Sequence, residues 1–95
     1  MVTVAYMLRM QSGFILIVLR AQGLRYQASC YETWIDQGSQ GTIEIHALAD
    51  TPVDALRDMF ERAKMTVSSE QRQHLQSAVL ACLDILGLDI LGKEN

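Results

Sequence analysis

Two side chains with acid–base chemistry stand two residues apart in this 95-residue chain. Glu44 and His46 fall within the alternating run Thr42–Leu48, and alternate residues of a β-strand share one face. A histidine beside a carboxylate is a candidate general base. Catalysis of this kind also needs a nucleophile next to the base, and the sequence nominates none. We therefore interpret the pair as part of an exposed polar face and assign no catalytic residue.

The residue types that bind metals or phosphates lack the spacing that such sites require. Cys30, His46, His74 and Cys82 are the thiols and imidazoles of the chain, and they show no recognisable zinc-ligand spacing. The segment Gly38–Gly41 carries two glycines, but it lacks the lysine and the longer glycine spacing of a phosphate-binding loop, and a predicted strand follows it. The sequence predicts no metal and no cofactor.

Aromatic and basic residues in the third predicted strand suggest a surface for base stacking. Of Arg25, Tyr26, Tyr31 and Trp34, however, only Arg25 and Tyr31 share a strand face. The formal net charge is −3, and the eight basic residues are scattered along the chain. Because phosphate binding needs clustered positive charge, we expect no nucleic-acid partner. Trp34 lies next to a polar segment and is interpreted either as a core-edge residue or as an anchor in a protein interface.

Composition places the chain among soluble globular proteins with a single domain, residues 1–95. Hydrophobic residues make up 49% and charged residues 20% of the sequence. Two cysteines are too few for a disulfide framework, so free thiols in a reducing compartment are expected. The apolar run Phe14–Leu19 is far too short to span a bilayer, and no basic segment precedes it as in a secretory signal. We expect a cytoplasmic protein without membrane contact.

Hydrophobic periodicity predicts strands in the first half of the chain. The predicted strands are residues 2–10, Phe14–Leu19, Leu24–Ile35 and Thr42–Leu48. Short connections demand antiparallel pairing, and the second strand is apolar on both faces, as a central strand would be. Glu32 interrupts the alternation of the third strand, which predicts a bend or an end near it. Asp36–Gly41 (DQGSQG) is expected to be the clearest loop.

The second half of the chain predicts two helices, over about residues 52–65 and 69–87, and a short tail, residues 88–95. Thr51 is a candidate cap for the first helix, and Pro52 suits its first position. The side predicted to face the sheet comprises Val53, Leu56, Met59, Phe60 and Ala63, with Phe60 the most buried. The predicted core stripe of the second helix comprises Leu75, Ala78, Val79, Cys82, Leu83 and Leu86.

Strands over about residues 2–48 followed by helices indicate the α+β class: an antiparallel sheet of three to four strands with two helices packed on one face. Two helices cover only one face of such a sheet. The second strand and the second helix therefore carry more apolar surface than a lone domain buries. The candidate interface residues are Trp34, Leu80, Ile85, Leu88, Ile90 and Leu91.

The run from the predicted strand residues Ile43–Leu48 into Ala49–Leu56 (ADTPVDAL) resembles a segment of the HicB-type antitoxins, in which a Thr-Pro-x-x-Ala-Leu helix follows a curled hairpin. The likeness covers little more than a dozen residues. The chain lacks the Pro-Gly-Cys-like turn of that family, and we identify no second, DNA-binding segment. The resemblance implies a small sheet-plus-helix protein.

These observations favour a non-enzymatic protein-interaction or regulatory protein, predicted to form a homodimer. By analogy it would be an inhibitor or accessory factor of a phage or mobile element that occupies a partner's surface. The alternative is a small-molecule-binding or enzymatic domain with a pocket between sheet and helices. A nucleic-acid-binding module is the third hypothesis.

Overall fold

A computed structural model describes residues 3–11, 13–36, 39–67 and 69–87. Four strands come first and two helices follow, which confirms the α+β class. The elements are β1 (Thr3–Met10), β2 (Gly13–Gln22), β3 (Arg25–Asp36), β4 (Ser39–Ala49), α1 (Pro52–Ala63) and α2 (Ser69–Leu86). The predicted tail, residues 88–95, lies outside the described residues.

The sheet is an antiparallel meander in the order β1-β2-β3-β4. Each connection is a tight hairpin: the closing register pairs are Met10 with Gly13, Gln22 with Arg25, and Asp36 with Ser39. Gly23 has φ 65°, a value that the two-residue hairpin turn requires and that glycine adopts without strain. β2 is a central strand, as its apolar residues on both faces predict.

Three features of the strand prediction are wrong. Of the predicted loop Asp36–Gly41, Asp36 belongs to β3 and residues 39–41 belong to β4, while Gln37 and Gly38 lie outside the described residues. Glu32 does not end β3: the strand continues four residues beyond it and keeps its register with β2 and β4. Leu24, with which the predicted third strand begins, lies in the turn before β3 and is fully exposed.

Both helices pack on the same face of the sheet. α1 lies over β3 and β4, and α2 lies over β1 and β2. The core between the two layers is formed by side chains from all six elements. Its largest fully buried members are Ile15, Ile17, Leu19, Leu56, Met59, Leu75, Leu83, Glu32, Cys30 and Cys82.

α1 begins as the sequence predicts but is rotated about its axis relative to the prediction. Thr51 Oγ1 accepts a hydrogen bond from the Asp54 amide at 3.1 Å, and Pro52 opens the helix. Leu56 and Met59 are completely buried, whereas Phe60 is only partly buried, so the expectation for Phe60 is wrong. The reason is that Ala55, whose side chain ends at Cβ, is also buried against the core. With Ala55 on the side of α1 that faces the sheet, Phe60 lies on the flank of the helix.

α2 presents the predicted stripe to the core. All six stripe residues are buried except Leu86, which is partly buried and packs at the edge of the core. Gly87 follows the helix with φ 76°, the left-handed conformation that ends many helices. Within the described residues, neither helix has the length and apolar content needed to cross a membrane.

Candidate functional site

The side of the sheet opposite the helices is the surface with the most unexplained structure. We call it the open face, because no described element covers it. It is formed by the outward residues Ala5, Met7, Arg9, Phe14, Leu16, Val18, Arg20, Gln27, Ser29, Tyr31, Thr33, Thr42, Glu44, His46 and Leu48. Strand register orders these residues in rows that run across all four strands.

The open face has an apolar half on β1 and β2. Phe14, Leu16 and Val18 stand in succession along β2, and Met7 of β1 lies beside Leu16. Met7 is 45% exposed, and the three β2 residues are half-buried by their neighbours within the sheet. An antiparallel sheet with one solvated face normally alternates apolar and polar residues, and β2 does not. This half of the open face resembles a surface that another layer covers.

The other half, on β3 and β4, holds a chain of three hydrogen-bonded polar side chains. Ser29 and His46 are register partners, and Ser29 Oγ lies 2.7 Å from His46 Nδ1. His46 Nε2 lies 2.7 Å from Glu44 Oε2. Because an ionised carboxylate only accepts, Nε2 carries the proton that is donated to Glu44; in neutral His46, Nδ1 then accepts from the Ser29 hydroxyl. The ring of Tyr31 stands edge-on to His46, with centroids 5.8 Å apart.

This arrangement contains the parts of a nucleophile–base–carboxylate triad. Two features oppose catalysis. Ser29 is only 6% exposed, and it lies in the middle of β3, between β2 and β4. The backbone amides of a strand paired on both sides are engaged in the ladder, so they cannot stabilise an oxyanion next to the hydroxyl. The two hydrogen bonds, from Ser29 and to Glu44, are well suited to holding the His46 imidazole in one orientation on the open face.

Cys30 and Cys82 lie on the other side of the sheet from His46. Both are free and fully buried in the core, Cys30 on β3 and Cys82 on α2. Burial raises the pKa of Cys30 to about 12, with further contributions from Glu32 and Cys82, and burial raises the pKa of Cys82 to about 11. No group of three metal-ligating side chains occurs in the described part of the chain. The sheet itself separates the thiols from His46.

Among the residues that the structure describes, Glu32 is the only charged residue buried in the core, and its side chain is 1% exposed. Neither of its carboxylate oxygens has a hydrogen-bond partner among the described residues. Burial raises its pKa above the ordinary value of 4.5. An unpaired buried carboxylate is costly, so burial favours the protonated form of Glu32 more than water does.

The three predicted interface residues that the structure describes do not come together at one place. Trp34 lies on the helix-facing side of β3 and is half-buried, with its indole over Gly41. Leu80 is 40% exposed and Ile85 57% exposed on α2. Five residues of helix separate these two by about 140°, so they lie on different flanks of α2. Leu88, Ile90 and Leu91 lie outside the described residues.

Reasoning from the sequence missed Ser29 and the open-face role of Met7 and Leu48. The outward position of Ser29 was predicted by alternation, but its pairing with His46 depends on the hairpin length between β3 and β4. A two-residue hairpin after Asp36 would have predicted this pairing.

Comparison with known proteins supplies no relative: no family model, no curated protein and no solved structure matches the chain.

Proposed function

We propose that this chain is a small non-enzymatic protein-interaction protein that acts as a homodimer and closes its open face against a second copy. The observation that carries the proposal is the uncovered apolar half of the open face on β1 and β2, where Met7 is 45% exposed. Burial of apolar surface at about 25 cal/mol per Å2 favours covering such a band.

The dimensions of the open face suit a dimer. Four strands about 4.8 Å apart and four rows about 6.8 Å apart cover about 500 Å2 in each copy. Two copies would bury about 1,000 Å2 together, which is about the minimum area expected of a biological interface. Two-fold pairing needs only one self-complementary patch. The chain's small size and acidic net charge of −3 are consistent with a regulatory factor of a phage or mobile element, and that role is part of the proposal.

Two substitutions with matched exposure test which surface associates. Met7→Glu places a charge on the open face, and Leu80→Glu places one on the outer side of α2. Multi-angle light scattering should find a dimer for the unmodified chain and for Leu80→Glu, and a folded monomer for Met7→Glu. The reverse result for the two variants would move the interface to α2, where the sequence placed Leu80 and Ile85.

A second candidate function is hydrolysis of an ester or a similar acyl compound at Ser29. The observation that favours it is the chain of two 2.7 Å contacts through His46 to Glu44. Ser29 Oγ would attack the carbonyl carbon while its proton passes to His46 Nδ1. A fluorophosphonate probe should label Ser29 in the unmodified chain, but not in Ser29→Ala or His46→Ala, if this function is real. We rank it second because Ser29 is buried in the sheet and has no oxyanion donor from the strand backbone.

The alternative, a pocket between sheet and helices, ranks below both, because the described side chains between the layers are mostly apolar and fully buried. A nucleic-acid-binding module, the third hypothesis, gains no support from this side of the sheet, whose basic residues Arg9, Arg20 and Arg25 are accompanied by Glu44 and by Asp50, the ion-pair partner of Arg25.

A further inference from the structure

We infer that the two copies pair about a two-fold axis that runs across the strands, so that His46 of each copy faces Glu44 of its partner. This inference rests on the proposed function and goes further, because it assigns the orientation and the recognition residues of the second copy. It follows from the way strand register orders the open face into rows.

The two central rows of the open face carry the argument. One row contains Ala5, Val18, Ser29 and His46, and the next contains Met7, Leu16, Tyr31 and Glu44. A two-fold axis that lies between these rows and perpendicular to the strands places each strand over the same strand of the partner and exchanges the two rows.

This exchange matches apolar with apolar side chains on β2 and places an imidazole against a carboxylate on β4. Val18 meets the partner's Leu16, and Leu16 meets the partner's Val18, so the apolar halves cover each other. His46 meets the partner's Glu44 in both halves of the interface. Together with the 2.7 Å contact within each copy, the four groups alternate around a square. Complementary groups at the rim of an interface fix its register and exclude wrong arrangements.

On β2 and β3, the outer rows also match under this axis. Phe14 and Arg20 are the outermost of the four open-face residues of β2, one at each end. The exchange places the Arg20 guanidinium of one copy over the Phe14 ring of the other. A guanidinium over an aromatic face is attracted by the ring quadrupole. Gln27 and Thr33, both polar, exchange in the same way on β3.

The other face-to-face arrangement, with the axis parallel to the strands, is unfavourable. It stacks β1 on the partner's β4 and β2 on the partner's β3. Met7 would then cover the Glu44 carboxylate, and Val18 would cover Ser29. Covering charged and polar groups with apolar side chains removes them from water without a new partner. Aligned sheets stack about 10 Å apart. At this distance the side chains of the two copies meet midway between the sheets, so the unfavourable pairs would be in direct contact.

A mixing experiment tests the axis. Glu44→Lys replaces the carboxylate opposite His46 with a cation, and His46→Glu places a second carboxylate opposite Glu44, so each variant alone should dimerise at least about tenfold more weakly than the unmodified chain. In an equimolar mixture, His46 of one variant again faces Glu44 of the other, and the introduced ammonium group faces the introduced carboxylate. Sedimentation velocity with native mass spectrometry should therefore find a one-to-one heterodimer whose Kd lies within about threefold of the unmodified value.

A matched control places the same charge elsewhere on β4. Thr42→Glu, two residues from Glu44 on the same exposed face, should not form a tight heterodimer with Glu44→Lys. If either central variant fails to fold by circular dichroism, Phe14→Arg mixed with Arg20→Phe tests the same axis through β2. A mixture no tighter than its components, with the unmodified chain still dimeric, overturns the axis and leaves the proposed dimer in place. A monomeric unmodified chain overturns both.

Discussion

Trp34 packs its indole directly over Gly41, its register partner on β4. A Cβ at position 41 would lie well inside van der Waals contact with Cζ2 of the ring. The glycine is therefore needed for the close approach of an aromatic ring to the neighbouring strand, and the ring occupies the space that a side chain would fill.

Gly41→Ala should destabilise the fold by about 1–3 kcal/mol, because the new methyl group forces the Trp34 ring out of its position. Urea titration followed by tryptophan fluorescence measures the loss. In the background of Trp34→Leu, the same substitution should cost much less, and Gln40→Ala on the adjacent exposed position should cost little in either background. Equal costs in the two backgrounds would contradict the packing described.

Leu56→Ala should cost about 2–5 kcal/mol, and more than Phe60→Ala, although phenylalanine is the larger side chain. The reason is that Leu56 is fully enclosed, whereas Phe60 lies at the flank of α1, where Lys64 Nζ is 5.7 Å from its ring centre. Denaturant titration of both variants checks the order. A greater loss for Phe60→Ala would restore the phase of α1 that the sequence predicts.

Glu32→Met should stabilise the fold at neutral pH by about 1–3 kcal/mol, since it removes an unpaired buried carboxylate. The raised pKa of Glu32 means that its favourable contribution is present below about pH 4.5 and is lost as the pH rises through the raised pKa. The advantage of the variant should therefore grow from pH 4 to pH 8 in thermal or urea unfolding. Glu32→Gln, which removes the charge but keeps a polar group, should show the same pH trend. An advantage that is constant with pH would contradict it.

Cys30 and Cys82 should react slowly with a thiol reagent while the protein is folded. Their pKa values of about 12 and about 11 leave almost no thiolate at pH 8, and both side chains are buried. Labelling should become fast and complete, at two thiols per chain, only when urea unfolds the protein. Complete labelling within seconds of mixing, without denaturant, would place at least one thiol outside the core.

The sequence predicts the inner face of the sheet and the stripe of α2 well, because alternation and helical periodicity are local signals. It does not predict the pairing of Ser29 with His46. The reason is physical: register depends on hairpin length, and ending β3 at Ile35 and beginning β4 at Thr42 would pair Ser29 with Leu48 instead. The shift by two keeps every residue on its face but changes each cross-strand neighbour.

Burial of Glu32 is also beyond the reach of pattern analysis. Glu32 is a charged residue on an otherwise apolar strand face, so it interrupts the alternation. The sequence fits two interpretations of this interruption equally well: the strand ends near Glu32, or the strand continues and the carboxylate is buried. Only the helices that cover the inner face decide between the two. The rotation of α1 has a similar origin, since Ala55 and Phe60 both satisfy an apolar periodicity and only contact with the sheet selects the smaller residue.

The central claim is that the open face is closed by a second copy, and sedimentation equilibrium of the unmodified chain tests it most directly. Over about 1–100 µM at about 150 mM salt, the account predicts a mass that rises to twice the chain mass of 10.6 kDa. A mass of 10.6 kDa at every concentration would contradict it.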